Sequence, residues 1–173
     1  GRYHWRSRLQ AGIVGPWKKP LITADRMTLA SLAQANGYRT AAIGKWHLGW
    51  DWPISHKHKA FFRAIGGSGN RDVKATDKHR AAWKEVFSLP IPGGPVDVGF
   101  DEYFGVDMPN WAPYCFIRND KLIDIPTEYA DIKLFAKNMA NIQGPAMKGW
   151  TLEPVLPALI AETENFLKRE APT

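Results

Sequence analysis

The tightest constraint on the fold lies between Thr28 and Gly49, where a helix signal, a turn signal and a buried-strand signal follow one another without a spacer. Thr28 offers an N-cap oxygen to a helix whose apolar residues Leu29, Leu32 and Ala33 recur at i, i+3 and i+4. Asn36-Gly37 ends that helix, because both residues tolerate the left-handed backbone of a helix terminus. Tyr38 to Ile43 then forms an apolar run bounded by glycines. This predicts a strand buried on both faces, as in a parallel sheet covered by helices. Helix, tight turn and buried strand make half of an α/β unit. The loop that follows reads Gly44-Lys45-Trp46-His47-Leu48-Gly49. In open α/β sheets, ligands bind beyond the carboxyl ends of the strands.

The remainder is read against that unit. Residues 50–95 lose periodicity and carry the turn cluster Pro90-Ile91-Pro92-Gly93-Gly94-Pro95, so they are expected to form an irregular insertion with one helix over 78–87. An ordered strand-and-turn pattern resumes at 99–105. Residues 114–117 and 122–125 flank Arg118-Asn119-Asp120-Lys121, a hairpin signal. Leu156, Leu159, Ile160, Thr163, Phe166 and Leu167 recur at helical spacing, which predicts an amphipathic helix lying on the sheet.

A chain of 173 residues suffices for one domain with a real core. Apolar residues at 45% and charged residues at 23% are ordinary for a globular protein. No run approaches the roughly 20 apolar residues that span a bilayer, so no membrane partner is expected. Cys115 is the only cysteine, which excludes an internal disulfide and a Cys-rich zinc site; its apolar neighbours predict a buried thiol. The net charge of +6 suits an anionic partner. The basic residues are scattered rather than grouped, so nucleic acid is not expected. The chain opens Gly1-Arg2-Tyr3-His4-Trp5, without Met or a signal-peptide pattern, and is expected to be an interior piece of a longer protein.

Lys45 and His47 carry the strongest chemical signal. An ammonium binds a sulfate or phosphate oxygen as a point charge, and a nearby imidazole donates a hydrogen bond or moves a proton near neutral pH. Both would face one crevice if the backbone between them were extended. Spacing alone favours a plainer reading, a solvated lysine beside a half-buried histidine. His56-x-His58 has no carboxylate near it in sequence and reads as an exposed charged loop. Gly66-Gly67-Ser68-Gly69 lacks the Lys-Ser/Thr of a phosphate loop and reads as a flexible loop. Asp107-Met108-Pro109-Asn110-Trp111 suits a pocket wall or a turn.

The thirteen residues from Gly37 to Gly49 closely resemble the second signature of the sulfatase family, within the alkaline-phosphatase-like superfamily. Gly1-Arg2-Tyr3 resembles the end of the first signature, and the interval from Arg2 to Lys45 fits the gap between the two. The segments 99–105, Asp107-Met108-Pro109 and Phe116-Ile117-Arg118-Asn119-Asp120 resemble further stretches of bacterial arylsulfatase-like enzymes. The resemblance implies an α/β fold, part of an alkaline-phosphatase-like sandwich with a mostly parallel sheet flanked by helices, and residues 1–173 as one partial catalytic domain. It implies sulfate-ester hydrolysis through a formylglycine nucleophile and a divalent cation, usually calcium, with the nucleophile and metal ligands outside this chain. It makes Lys45 and His47 catalytic, with Lys45 on the sulfate. Asp107 and Asn110 are expected to line the substrate-variable side, with Arg2 and Gly44 as structural support. Expected substrates are sulfate-ester small molecules or sulfated carbohydrates, and the expected location is periplasmic or secreted. A phosphodiesterase or phosphonate hydrolase of the same superfamily, and a non-catalytic binder of sulfated glycans, are the alternatives.

Overall fold

The structure is a computed structural model that describes residues 3–63, 65–66, 72–135 and 141–171. Arg2, and Gly67-Ser68-Gly69 of the glycine-rich run, lie outside the described residues. Helix α1 spans Leu29–Ala35 behind a reciprocal cap, in which the Thr28 and Ser31 hydroxyls each accept the other residue's N–H. Gly37 follows the helix with a φ of 82°, as a C-terminal stop requires. The leucine stripe, however, is not what anchors α1. Leu29 and Leu32 are 87% and 46% exposed, and Ala30 alone is buried. The anchor is the capped end, where the Thr28 hydroxyl donates to the Val98 carbonyl at 2.6 Å and Gly99 lies directly against Ser31.

Strand β1 runs Ala41–Lys45, beginning three residues later than the apolar run predicts. Tyr38 is exposed, and Thr40 is held by side-chain bonds before the ladder starts: its N–H donates to Asp101 at 2.7 Å and its hydroxyl to the Gly99 carbonyl at 3.0 Å. Residues 41–44 are half-buried rather than enclosed on both faces. In chain order the other elements are β2 (Ile65–Gly66), α2 (Asp77–Phe87), β3 (Glu102–Val106), β4 (Ile117–Arg118), β5 (Lys121–Leu122), β6 (Glu128–Tyr129), β7 (Ile142–Gln143), β8 (Pro145–Ala146) and α3 (Val155–Glu170). The main sheet is four-stranded in the order β1-β3-β4-β5. Its long pairing, β1 with β3, is parallel from Ala41↔Glu102 to Lys45↔Val106. β4 and β5 join antiparallel as a hairpin, because the turn between them at Asn119-Asp120 is far too short for a crossover. β2–β7 and β6–β8 are separate antiparallel pairs. The sheet and its helices form the mixed α/β class that the helix-turn-strand unit implies.

Side chains alternate across a strand, and β3 uses that alternation to divide the core. Tyr103 enters a cluster with Trp50, Trp52, Trp83, Phe87 and Ile91, whereas Val106 joins Ala112, Tyr114, Phe135, Trp150 and Val155. Segment 50–95, expected as an irregular excursion, therefore supplies much of the first cluster. Its aromatic residues follow no period except on α2, where Ala82, Trp83, Val86 and Phe87 are buried together on one face. The same segment corrects the His56-x-His58 reading. His56 is exposed, but His58 is buried, with Nε2 3.0 Å from Glu85 on α2 and Nδ1 3.1 Å from the Ser55 hydroxyl. Its carboxylate partner lies 27 positions away, beyond the reach of a local reading.

Helix α3 lies against β1 and β3. Val155, Ala158, Leu159, Glu162 and Phe166 are its buried or half-buried residues, while Leu156, Ile160 and Leu167 stay exposed. The apolar set named from sequence thus spreads over two faces. Glu162 turns inward because Arg118 on β4 pairs with it, and Arg169 near the helix end donates to Glu102 on β3 at 2.7 Å. Cys115 is fully buried, and burial pushes its thiol well up, which matches the structural thiol expected.

At the centre of the parallel pair the two strands approach without side chains between them. A Cβ on Gly105 would lie 1.8 Å from the Gly44 carbonyl oxygen, which also accepts the Tyr103 hydroxyl at 3.1 Å. Gly105→Ala is expected to part these strands and destabilise the chain by about 1–3 kcal/mol, the usual scale for overpacking. Urea unfolding reads this directly, and an unchanged midpoint would show that the contact does not constrain the strands.

Candidate functional site

The parallel pair ends at Lys45 and Val106, and the two chains stay joined beyond the sheet. The Trp46 N–H donates to the Val106 carbonyl and the His47 N–H to the Asp107 carbonyl, each at 3.1 Å. Lys45 is the last residue of β1 and is exposed. Among the described residues no carboxylate lies within ion-pair distance of its ammonium. His47 does not continue an extended backbone; its φ is 50°, in the left-handed region that His enters more readily than most residues. A turn, rather than strand alternation, sets the relation between the two side chains, and Lys45 remains near enough to disfavour the charged imidazole.

The ring of His47 is fixed on two sides. Nε2 lies 2.8 Å from the Val14 carbonyl oxygen, and the ring meets Trp111 edge-on at 5.2 Å between centroids. A carbonyl only accepts, so Nε2 carries the proton and Nδ1 keeps its lone pair whenever the ring is neutral. Burial is the main cause that lowers this histidine's pKa below its ordinary value; the Val14 carbonyl opposes it, and Lys45 reinforces it. Neither Val14 nor Trp111 stood among the expected site residues. Val14 acts through a main-chain oxygen and leaves no mark in sequence, whereas Trp111 closes the Asp107–Trp111 motif and was legible there as an aromatic wall.

Asp107 does not face the same way as Lys45. It follows Tyr103 and Gly105 in the strand alternation, and its carboxyl is buried, toward Trp50, Tyr103 and Cys115. Burial pushes it up to about 7, opposed by the Trp50 indole and the His47 N–H. Trp50 Nε1 lies near enough to favour the ionised form but lacks hydrogen-bond geometry to any acceptor among the described residues. Asn110 is half-buried, its carbonyl accepting the Tyr114 hydroxyl at 2.7 Å and the Ile142 N–H at 3.1 Å, so it fixes the loop that presents Trp111. Gly44 takes a φ of 137° and leaves open space where a Cβ would stand. Lys45, His47 and the Asp107–Trp111 loop are thus brought together, with the Asp107 carboxyl turned inward. Among the described residues no group of three or more His, Cys, Asp and Glu side chains converges to hold a metal. Among them, too, no helix is long and apolar enough to cross a membrane.

The family model described as Sulfatase matches residues 5–151. Arylsulfatase J of Mus musculus is 32% identical over 74 residues, covering 40% of this chain and 12% of that protein. Arylsulfatase A of Bos taurus is 35% identical over 68 residues, covering 38% of this chain and 13% of its own length. The chain therefore spans only a small part of these relatives. A solved structure from work on the metabolism of multiple glycosaminoglycans by Bacteroides thetaiotaomicron superposes with a TM-score of 0.61 at 18% identity, covering 97% of this chain and 36% of the other.

Two titrations test this geometry. The folded chain holds the Asp107 proton up to about pH 7, whereas the ordinary value is 3.8, so the folded state binds more protons between those limits. Its contribution to stability therefore falls as pH rises through that window. Asp107→Asn is expected to stabilise the chain at pH 8, on the order of a few kcal/mol, and to do little at pH 4. His47 has the opposite sign: its pKa is lowered from 6.5, so its contribution is lost as pH falls below that value. Nitrogen-15 NMR of the neutral ring should show the proton on Nε2; the other tautomer would contradict the Val14 contact.

Proposed function

Because the chain belongs to the sulfatase family, we propose that it forms one wall of the catalytic site of a sulfate-ester hydrolase, with Lys45 and His47 as its chemical residues. The observation that carries this reading is their position: both stand just beyond the carboxyl end of the parallel pair, inside the stretch that the family match covers. The Lys45 ammonium, without a carboxylate partner among the described residues, is suited to hold a sulfate oxygen and to stabilise charge developing on it. His47, neutral at pH 7 and held through Nε2, offers Nδ1 to accept a proton or, once protonated, to return it. Trp111 and the Val14 carbonyl keep that ring from turning, which limits the error in proton transfer.

On the family resemblance we assign the formylglycine nucleophile and a divalent cation, expected as calcium, to other parts of the protein. A bound cation would supply charge neutralisation at the sulfate. The described residues hold no cluster to ligate it, and no step of the present reading passes through it. Residues 1–173 are read as one part of the catalytic domain, and Arg2 as support for the first signature. Asn110 is retained as a wall residue through its loop, and Asp107 as a buried neighbour of that wall. The glycosaminoglycan setting of the Bacteroides structure favours a sulfated carbohydrate among possible sulfate esters, and an exported location accords with such a substrate.

The decisive assay uses the full-length protein with an aryl sulfate and an aryl phosphate. Lys45→Ala should lower kcat/KM for the sulfate by about 10²–10³-fold, the scale of losing one charge-stabilising donor. Undiminished turnover by Lys45→Ala would remove the lysine from the site. Faster turnover of the phosphate would place the enzyme among the phosphoesterases of the superfamily.

A further inference from the structure

The aromatic wall beside His47 is set by one peptide group, which joins Asn110 to Trp111. Its carbonyl accepts the Tyr114 hydroxyl at 2.7 Å and the Ile142 N–H at 3.1 Å, and its own N–H reaches the Met108 carbonyl at 3.4 Å. A planar group held on both edges fixes the direction in which the next side chain leaves the backbone. Two of these bonds join main chain to main chain; the third comes from the side chain of Tyr114. That hydroxyl also lies 2.8 Å from the Ile142 carbonyl, so its one proton is shared between two segments. Tyr114 is fixed at its base as well. Its N–H donates to the Pro145 carbonyl at 2.9 Å, and its carbonyl accepts the Met147 N–H at 3.0 Å. The ring is buried beside Phe135, with 5.7 Å between centroids. Burial pushes its hydroxyl well above the ordinary value, so it remains a donor through the neutral range.

We propose that Tyr114 is a positioning residue for His47, acting through the Asn110–Trp111 peptide and the Trp111 indole. The path is short. Trp111 meets the His47 ring edge-on at 5.2 Å, while Nε2 of that ring lies 2.8 Å from the Val14 carbonyl oxygen. One hydrogen bond leaves an imidazole free to rock about it, and the indole stops that motion. The foot of the loop is tied to the same residue, since the His47 N–H donates to the Asp107 carbonyl at 3.1 Å. A ring that transfers a proton depends on such alignment, because small misplacements of a reacting group cost rate steeply. The part Tyr114 plays in turnover rests on the sulfate-ester reading; its effect on the His47 ring does not.

The test uses the full-length protein labelled with nitrogen-15 at histidine, with the His47 signals identified as those missing from His47→Asn. Tyr114→Phe keeps the buried ring and removes only the hydroxyl. It should lower the share of the tautomer protonated on Nε2 and move the His47 titration up toward the ordinary 6.5, as water reaches the ring. Val86→Ala, which opens a cavity in the other core cluster, should destabilise the fold without either change. Trp111→Leu should displace the ring in the same sense as Tyr114→Phe, and the double variant should add nothing further, because the path runs through that indole. With an aryl sulfate, Tyr114→Phe should lower kcat about tenfold and leave KM unchanged, since Lys45 still holds the sulfate. An unchanged His47 tautomer and titration in Tyr114→Phe overturns the proposal, and so does the same change in Val86→Ala. Additive effects of Tyr114→Phe and Trp111→Leu overturn it too, by giving Tyr114 a route that bypasses the indole. A displaced ring with undiminished kcat overturns the part played in turnover. Full activity in Lys45→Ala would instead remove the sulfate-ester reading, and the nitrogen-15 signals then decide the positioning of His47 by themselves.

Discussion

The close approach of Gly44 to Gly105 is the contact on which the rest of the molecule depends. Two parallel strands can come this near only because Gly105 places no Cβ against the Gly44 carbonyl, and the Tyr103 hydroxyl bridges the gap by bonding the carbonyls of both Gly44 and Val106. The register that results sets Lys45 opposite Val106 and carries the pairing on into Trp46 and His47. A shift of one residue would exchange the faces of β3, sending Tyr103 away from the tryptophan cluster and Val106 into it. Core and candidate site are therefore specified by the same pairing.

That pairing is held at its opposite end by charge. Arg39 lies against Asp101, Glu102 and Glu170, and Arg169 reaches Glu102, so the start of β1, the start of β3 and the end of α3 share one network. The arginines are exposed and the carboxylates are partly covered, and pairs so open to solvent contribute little individually. Their role is better understood as registration: they align the helix with the strands, while the aromatic residues supply the burial. Arg118 does the same for β4, pairing with Glu162 and lying 4.9 Å over the Phe104 ring.

The site combines rigid and solvated parts in a way that suits anion chemistry. The Lys45 cation is exposed and without a carboxylate partner among the described residues, while the His47 ring beside it is clamped by a carbonyl and an indole. The Asp107 carboxyl, two residues beyond Gly105, is buried on the far side of the same backbone and is pushed up to about 7. Turned inward and largely protonated in acid solution, it does not neutralise the lysine. A carboxylate in front of the ammonium would have competed with any anionic ligand.

Local signals settled the elements that close on themselves. Thr28 and Ser31 cap α1, Asn119 turns the β4–β5 hairpin, and α2 and α3 lie where helices are expected, because each rests on residues within one or two turns of one another; which face of α3 is buried did not follow from its spacing. The Gly37–Gly49 stretch likewise declared the family, since a motif is a local object, and from it Lys45 and His47 are the proposed pair. What only the tertiary structure decided depends on residues far apart in the chain. Leu29 and Leu32 lie outside the core, Glu85 finds His58, the aromatic residues of the irregular 50–95 stretch become the centre, and the Asp107 carboxyl points inward. Burial and pairing between distant segments have no period to betray them, so they enter only when the strands come together at Gly44 and Gly105.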